Sequence, residues 1–282
     1  MGEGRSPSAN TVGRDRYFLP SLHHTLDVLE FLHQADCGVM LRDIAQGTSM
    51  SKPGVHKILS NLESRGYVRR ALEGGSYSLG LRLWELGASV GWLTALTDRI
   101  TPFLHDLSNA LGEASHLVVL DREEVVYVAR SETRHAVKVY GAVGDRAPAH
   151  CVATGKVLLA SRAIADQPVP APRCPRYTPT TITDPEAFRQ EQDVIRAQGY
   201  ALNNGEWREG VNGVAVPLPL TTERSLLAIG VSGPSYRFTL RAAREAVPAL
   251  QRLTGQLEPA VGPVTPITNL ADALSGPPLA IS

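Results

Sequence analysis

The chain has 282 residues, and its 28 lysines and arginines balance 28 aspartates and glutamates, so the formal net charge is zero. This balance excludes a histone-like polycation, and any contact with nucleic acid must come from a local basic patch. Hydrophobic residues make up 43% of the chain, which is typical of a globular protein, and the length indicates about two domains.

The N-terminal segment, residues 1–18, is polar and predicts a flexible arm. It lacks the apolar stretch of a signal peptide, and no apolar run in the chain approaches the roughly 18 residues that a membrane span needs. The three cysteines, Cys37, Cys151 and Cys174, are widely spaced and form no CxxC pair. This spacing favours free thiols over disulfides or a zinc site, so we expect a cytoplasmic protein without a metal or a membrane contact.

Helical periodicity begins after the arm. Apolar residues recur at helical spacing after Ser21, which is a suitable N-cap, and they predict a first helix over 21–34. A second, short helix is predicted over 41–47. A third helix carries Val55 on its apolar face and stops at Gly66.

Two short strand-like runs follow, over 67–70 and 76–79, and the loop between them contains Gly74 and Gly75. They predict a β-hairpin. Three helices followed by a hairpin is the order of a winged helix-turn-helix, in which the third helix enters the major groove of DNA.

Positive charge concentrates on this helix and hairpin. Residues 49–70 contain five cations and one anion, so their local charge is +4. The cations are Lys52, Lys57, Arg65, Arg69 and Arg70. A solvated helix face explains most such runs, but the coincidence with a predicted recognition helix and wing favours DNA binding.

The expected DNA contacts fall into two groups. The residues predicted to position the protein on phosphates are Lys52, Lys57, Arg69 and Arg70. The residues predicted to face base edges at the start of the third helix are Ser51, Gly54, Val55 and His56, with Ser49 beside them.

The segment 81–97 predicts a linker helix with more apolar surface than a single exposed helix should carry. Its apolar residues are Leu81, Leu83, Trp84, Leu86, Val90, Trp92, Leu93 and Leu96. Packing within the same chain is one explanation. A partner subunit is the preferred one, because a symmetric dimer presents two recognition helices to two half-sites.

The second half of the chain contains one segment that invites a chemical interpretation, a predicted helix that begins near Ala153. The segment fails the phosphate-loop pattern, because valine follows Lys156. The adjacent His150 and Cys151 lack a third catalytic group. Unpaired N–H groups at the helix start, together with Thr154 and His150, can bind a carboxylate, although a helix capped without a ligand is the alternative.

Two adjacent core strands are predicted over 211–220 and 226–232, and Gly213 and Gly230 interrupt them. Each glycine marks either a bulge or the close approach of a ligand. The remaining carboxylates and histidines form no acid–base or metal-ligand pattern. Glu206 and Glu209 favour surface ion pairs, or a lid at the mouth of a pocket.

Taken in order, these segments resemble the IclR (isocitrate lyase regulator) family of bacterial transcription factors. The matching blocks are LRDIAQGTSMSKPGVHKILSNLESRGYV, GGSYSLGLRLWELG, APAHCVATGKVLLA, GYALNNGEWREGVNGVAVPL and LLAIGVSGPSYR. Gly54 departs from the pattern, since the family often has a small hydroxyl residue there, and we expect a looser start of the helix.

The resemblance implies an α+β fold with a winged helix-turn-helix, a linker helix and a GAF-like α/β effector-binding domain whose sheet is mostly antiparallel. The expected divisions are a flexible arm over 1–18, the winged helix-turn-helix over 19–80, the linker helix over 81–97, the effector-binding domain over 98–257 and a Pro/Gly-rich tail over 258–282. The implied effector residues are Val139, Ala153, Thr154, Asn203, Gly213, Ala228 and Gly230. The resemblance also implies dimers or tetramers on pseudo-palindromic operators.

We therefore predict a ligand-responsive transcriptional regulator, a repressor, whose second domain binds a small organic acid, with aromatic acids included. We expect neither a cofactor nor a catalytic residue. Two other classes stay open at this point. An enzyme fused to a helical domain would need a reactive constellation, and a protein-interaction module would bind DNA with little salt dependence.

Overall fold

A computed structural model describes residues 18–35, 37–139, 141–161, 174–222 and 225–261. The predicted arm, apart from residue 18, and the tail beyond residue 261 lie outside the described residues. The chain divides into two compact units, and the boundary falls between Val90 and Gly91. None of the described helices is long and apolar enough to cross a membrane.

The first unit holds three helices, a two-stranded hairpin and a fourth short helix, in the order of a winged helix-turn-helix. The elements are α1 (Pro20–His33), α2 (Leu41–Gly47), α3 (Lys52–Ser64), β1 (Val68–Arg70), β2 (Tyr77–Leu79) and α4 (Leu81–Ala88). The hairpin is antiparallel, with Val68 opposite Leu79. Its core is one cluster that includes Val28, Ile44 and Leu59.

Helix α1 begins differently from the prediction. The residue before it, Leu19, has an extended backbone and makes no side-chain cap hydrogen bond. Pro20 occupies the first turn, where its missing N–H costs little and its fixed φ favours a helix. Ser21 was therefore wrong as the N-cap, and its carbonyl instead accepts from Thr25 Oγ1 at 2.7 Å.

Helix α3 has the ends that its sequence indicates. The hydroxyl of Ser51 caps it by accepting from the Gly54 N–H at 3.3 Å. After the helix, Gly66 adopts a φ of 76°, a left-handed conformation that favours glycine.

The predicted linker helix over 81–97 is in fact two helices, α4 and α5, where α5 spans Gly91–Leu111. Between them, Ser89 Oγ donates to the Leu86 carbonyl at 2.6 Å and competes with continued helical bonding. The break divides the apolar residues into two groups: Leu96 is buried in the core of the second unit, whereas Leu81 and Trp84 of α4 are exposed.

The second unit is built on one six-stranded antiparallel sheet with helices on both faces. Its strands are β3 (Ala114–Asp121), β4 (Glu124–Ser131), β5 (Arg146–Pro148), β6 (Ala201–Asn204), β7 (Val211–Thr222) and β8 (Ser225–Pro234). They lie in the order β5-β4-β3-β8-β7-β6. Its other helices are a 3-10 turn (Ala149–Cys151), α6 (Ala153–Ser161), α7 (Pro185–Gln198) and α8 (Leu240–Val261).

Alternation along the strands sends successive side chains to two different cores. Leu117 and Ile229 belong to the cluster packed with α5 and α8, while Val118 and Ala228 belong to the cluster packed with α6 and α7. The α+β class with an antiparallel sheet is as predicted. The expected start of the tail at residue 258 was wrong, because α8 continues to Val261.

Candidate functional site

The first candidate site is the basic surface formed by α3 and the hairpin. The side chains of its five cations, Lys52, Lys57, Arg65, Arg69 and Arg70, are exposed. Across the described ranges, none of these five has a carboxylate within 4.0 Å. Their charge is therefore uncompensated by the described residues and available to a polyanion.

Contacts within the hairpin restrain two of these cations. The Arg69 Nε donates to Ser78 Oγ on the opposite strand at 2.8 Å. The Arg70 guanidinium lies 5.6 Å from the centre of the Tyr77 ring, which is itself buried. Because both guanidiniums are tethered to β2, they are held on the hairpin rather than free to reach in every direction.

At the start of α3, the structure separates the residues that were predicted together. Ser49, Ser51 and His56 are exposed, and Gly54 is half-buried. Val55 is fully buried in the core of the first unit. The prediction that Val55 faces base edges was wrong, because its side chain belongs to the apolar stripe that holds the helix in place.

The second candidate site is a cavity of the second unit between the sheet and the start of α6. Two cross-strand rows of the sheet lie beneath it. In one row Arg130, His116 and Gly230 are paired in register on three adjacent strands. In the other row Gly213 lies between Ser232 and Asn203. Residues paired in register point to the same face, so these two rows face α6 together.

Gly230 is the position where α6 comes closest to the sheet. A Cβ atom there would lie 2.6 Å from Thr154 Cγ2 and 2.7 Å from His116 Nε2. The pairing of the strands shows no register shift at Gly230 or at Gly213, so neither glycine marks a bulge. Of the two alternatives, Gly230 therefore reflects close approach, in this case of Thr154 and His116.

Charged groups line the cavity wall. The Arg130 side chain is only 6% exposed, and its Nε is 2.8 Å from Glu132 Oε1. Arg208 lies at the exposed edge, with its guanidinium 4.3 Å from the centre of the Trp207 ring. The lining contains two arginines and one carboxylate, Asp145, so the sum of its side-chain charges is positive.

Two buried polar atoms in the lining have no hydrogen-bond partner among the described residues, Thr154 Oγ1 and His116 Nδ1. Thr154 lies in the first turn of α6, where backbone N–H groups also lack helical partners. An unpartnered buried polar group is costly unless a ligand or water satisfies it. The cavity therefore offers hydrogen-bonding groups that the described part of the chain leaves unused.

His116 is neutral in this site. Burial, and secondly the charge of Arg130, lower the pKa of His116 to about 3. Its ring centre is 5.0 Å from that of Tyr127. At neutral pH the imidazole is a hydrogen-bonding group without charge, and Arg130 and Arg208 are the cations of the lining.

The structure brings together most of the residues predicted for an effector, but not all. Val139, Ala153, Thr154, Asn203 and Gly213 line the cavity. Gly230 and Ala228 lie in the sheet beneath it without lining it, and Ala228 is fully buried. His150 was wrong as a cavity donor, because its Nε2 lies 3.3 Å from the Pro175 carbonyl and its ring is near Tyr177.

Sequence reasoning missed five lining residues that have chemical functions, His116, Tyr127, Arg130, Trp207 and Arg208. A signal existed for three of them, since His116 stands directly before the apolar run 117–120, Tyr127 lies within the apolar run 125–129, and Arg130 directly follows that run. The sequence could not predict that these side chains come together in one cavity, because this depends on which strands become neighbours in the sheet.

The buried cysteine beside His150 is not set up as a nucleophile. Burial raises the pKa of the Cys151 thiol to about 12, so it stays protonated. No group of His, Cys, Asp or Glu side chains in the described part of the chain could hold a metal ion.

Glu206 was expected to form ion pairs at the surface, but the structure buries it. Its side chain is 6% exposed and lies 2.8 Å from the ammonium of Lys156, which is also buried. The residues that follow it, Trp207 and Arg208, reach the cavity.

A winged helix with a basic surface, joined to a unit with a cation-lined cavity, is the architecture of a DNA-binding regulator with a small-molecule effector domain. Two family descriptions match the chain, the IclR helix-turn-helix domain over residues 21–71 and the bacterial transcriptional regulator IclR C-terminal domain over residues 93–258. The chain belongs to the IclR family of transcriptional regulators.

Three relatives illustrate the match. The chain is 31% identical to the HTH-type transcriptional regulator XynR of Escherichia coli over 216 residues, which cover 76% of this chain and 86% of that protein. An IclR transcriptional regulator from Alicyclobacillus acidocaldarius has a TM-score of 0.73 at 25% identity, covering 87% of this chain and all of that one.

The third relative is the inducer-binding domain of the PobR transcription factor from Acinetobacter, a double mutant in complex with 3-hydroxybenzoic acid. It is 31% identical with a TM-score of 0.52 and covers 57% of this chain and 96% of its own. These relatives are regulators rather than enzymes, and the protein is a DNA-binding regulator with a small-molecule effector domain.

The buried, neutral His116 predicts a pH dependence of stability. The unfolded chain takes up a proton near the ordinary histidine pKa, whereas the folded chain does not until about pH 3. The stability that the neutral His116 contributes is therefore fully present at neutral pH. It is lost as the pH falls below the pKa that this histidine has in the unfolded chain. Between about pH 7 and pH 5 this group should remove roughly 2 kcal/mol from the free energy of unfolding.

Denaturant unfolding of the wild type and of His116→Gln at the two pH values checks this. The variant lacks the titrating group, so its loss of stability over the interval should be smaller by that amount. Equal losses in both proteins would contradict the assignment of a buried, neutral imidazole.

Proposed function

We propose that the protein is a repressor that binds its operator without a ligand and releases it when a small organic acid occupies the cavity. The observation that carries the proposal is that one cavity brings together Arg130, Arg208 and the Thr154 hydroxyl, which has no hydrogen-bond partner among the described residues. Guanidinium groups, a hydroxyl and a helix N-terminus are the groups that recognise a carboxylate.

The proposed DNA contacts keep the predicted division, with one residue removed. Lys52, Lys57, Arg69 and Arg70 position the protein on phosphates. Ser49, Ser51, Gly54 and His56 face the bases from the start of α3, and Val55 is left out because it is buried. Tethering of Arg69 and Arg70 on the hairpin supports a wing that tracks the phosphate backbone.

The exposed apolar surface of α4 supports a dimer as the DNA-binding form. Leu81 and Trp84 are each 70% exposed, Leu86 of the same helix is also exposed, and so is Val90 just after it. Large side chains of this kind are costly in water and are typical of a subunit interface. A two-fold dimer would present two α3 helices to the half-sites of a pseudo-palindromic operator.

An aromatic carboxylic acid is the proposed effector class. Aromatic side chains of Tyr127 and Trp207 stand in the lining beside the arginines, which suits a ring and a carboxylate together. The complex of the PobR domain with 3-hydroxybenzoic acid supports the same class. Effector binding would favour the conformations that bind DNA less well, which requires tighter effector binding in those conformations.

Replacing Lys57 and Arg70 together by alanine should weaken binding to the intergenic DNA upstream of the protein's own gene. Each lost phosphate contact should make the slope of log affinity against log salt shallower by about one. Fluorescence anisotropy over a salt series measures both quantities. The matched control is Arg189→Ala with Arg241→Ala, two exposed arginines of the second unit. Equal affinities for the Lys57/Arg70 variant and the wild type would contradict the assigned surface.

Replacing Leu81 and Trp84 together by serine should convert a dimer into a monomer of 30.3 kDa. Central interface residues of this size contribute about 2 kcal/mol each or more. Light scattering after size exclusion measures the mass. Leu72→Ser, at an exposed leucine in the hairpin loop of the same unit, should leave the dimer intact. A monomeric wild type, or a variant that stays dimeric, would overturn the proposed interface.

Adding 3-hydroxybenzoate as a test acid should lower the affinity of the wild type for the same DNA. Arg130→Met should weaken binding of the acid by about 2 kcal/mol, roughly thirtyfold, because a charge-assisted hydrogen bond is lost. Titration calorimetry and DNA anisotropy measure the two effects. Arg146→Met is the control, since Arg146 pairs with Asp121 and Glu124 outside the cavity. If the acid tightens DNA binding, the proposed direction of regulation is wrong.

A further inference from the structure

A charged lysine lies in the interior of the second unit, one turn into α6. The side chain of Lys156 is only 1% exposed. Its ammonium lies 2.8 Å from Glu206 Oε1 and 2.9 Å from Glu191 Oε1. One carboxylate comes from the segment after β6 and the other from α7, so a single ammonium joins three parts of the chain.

Glu206 is also fixed through its backbone. Its N–H donates to Asn203 Oδ1 at 2.9 Å, and its carbonyl accepts from Thr181 Oγ1 at 2.6 Å and from Thr178 Oγ1 at 3.2 Å. Its carboxylate oxygen Oε1 accepts in addition from the Asn204 N–H at 3.3 Å. The segment is thus held where Glu206 is buried, while the positions that follow it become more exposed.

The two residues after Glu206 are part of the cavity wall. Trp207 is half-buried in the lining, and the Arg208 guanidinium stacks on its ring. On the other side of the ion pair, Lys156 follows the cavity residue Thr154 by two positions in the same helix. The pair therefore connects the helix start on one side of the cavity to the aromatic and cationic wall on the other.

Stability alone gives little reason for this arrangement. Burying an ion pair costs about as much desolvation as its attraction returns, and apolar replacements are often neutral or stabilising. Removing one partner is different, because it leaves a buried charge without compensation. Burial raises the pKa of the Glu206 carboxyl, and Lys156 opposes that effect.

We infer that Lys156 is a positioning residue, which holds Glu206 and thereby places Trp207 and Arg208 over the cavity. The identity of the ligand in this inference rests on the proposed function. The placement of Trp207 by Lys156 and Glu206 does not depend on it. Without the ammonium, a charged Glu206 moves towards water and carries the adjacent wall with it. The cavity is then complete in only a fraction of molecules, and ligand affinity falls by that fraction.

The test uses Trp207 as its own reporter. The chain has three tryptophans, and a Trp84→Phe/Trp92→Phe background leaves Trp207 alone. In that background, Lys156→Met at about pH 8, where an unpaired Glu206 is ionised most, should red-shift the emission and raise the acrylamide quenching constant towards that of free tryptophan. Adding Glu206→Gln to Lys156→Met should restore the original emission and quenching, because position 206 then carries no uncompensated charge and its amide oxygen still accepts from the Asn204 N–H. Glu191, the other partner of Lys156, keeps its charge, but its side chain is 30% exposed and water can solvate it.

The matched control is Arg189→Met, which removes an exposed ion pair of α7 with Glu186 and should leave Trp207 unchanged. Circular dichroism establishes that each variant is folded. If Lys156→Met does not fold, Lys156→Gln in the same background tests the same connection, since it also removes the ammonium and leaves the Glu206 carboxylate without its charged partner. Quenching like the parent in a folded Lys156→Met or Lys156→Gln protein overturns the inference, as does failure of Glu206→Gln to restore it.

Binding separates this inference from the proposed function. Binding is measured with Lys156→Met in the otherwise wild-type chain, because Trp84 belongs to the proposed dimer surface. If 3-hydroxybenzoate binds the wild type, Lys156→Met should reduce its affinity about tenfold when the wall is in place in roughly one tenth of molecules. DNA affinity without the acid should stay within about twofold of the wild type, because the two units carry separate sites. If the acid does not bind the wild type, the proposed effector class fails, and the change in Trp207 quenching still decides whether Lys156 positions the wall.

Discussion

The close approach of α6 to the sheet at Gly230 is the constraint on which the second unit depends. No side chain stands at Gly230, so Thr154 and His116 can meet above the sheet. A larger residue would push α6 away and separate the polar groups of its first turn from those of β3 and β4. The site is therefore created by a missing side chain in the middle of a strand, with functional groups arranged around it.

The buried charges of this unit follow one rule, which is that each has a partner or is neutralised. Lys156 has two carboxylates, Arg130 has Glu132, and His116 carries no proton at neutral pH. Buried groups that break this rule would cost several kcal/mol each. Two atoms of the lining, on Thr154 and His116, have no hydrogen-bond partner in the described part of the chain, and both are uncharged, so they cost less than a buried charge would and can hydrogen-bond a ligand.

Local features of this chain were readable from its sequence, and pairings between distant segments were not. Periodicity predicted α3 and the hairpin, because the necessary residues are neighbours in sequence. The same reasoning assigned Val55 to the apolar stripe and also to the DNA, and only packing decides between the two. Lys156 and Glu206 are 50 positions apart, so no spacing rule could have paired them.

The prediction of one linker helix over 81–97 was wrong for a related reason. Apolar spacing continues through 81–97 without a visible interruption, yet the chain breaks at Ser89 and Val90 between two glycine-containing stretches. Propensity differences of about 1 kcal/mol per glycine are small beside tertiary packing, so they predict a weak point without predicting a break. Only the burial of Leu96 in the core of the second unit distinguishes α5 from α4.

The neutral net charge acquires a physical meaning in this arrangement. The chain carries five cations on α3, directly after it and on the hairpin, and none has a carboxylate within 4.0 Å among the described residues, so its attraction for DNA is local and weakens with salt. Under the proposed function, tight binding then requires two such surfaces at the correct separation. If the spacing of the two surfaces changed, one protomer of the proposed dimer would lose its contacts with DNA. A polycation would remain bound through its total charge. A coupling of about 1–3 kcal/mol from the effector would then be enough to change operator occupancy several-fold or more.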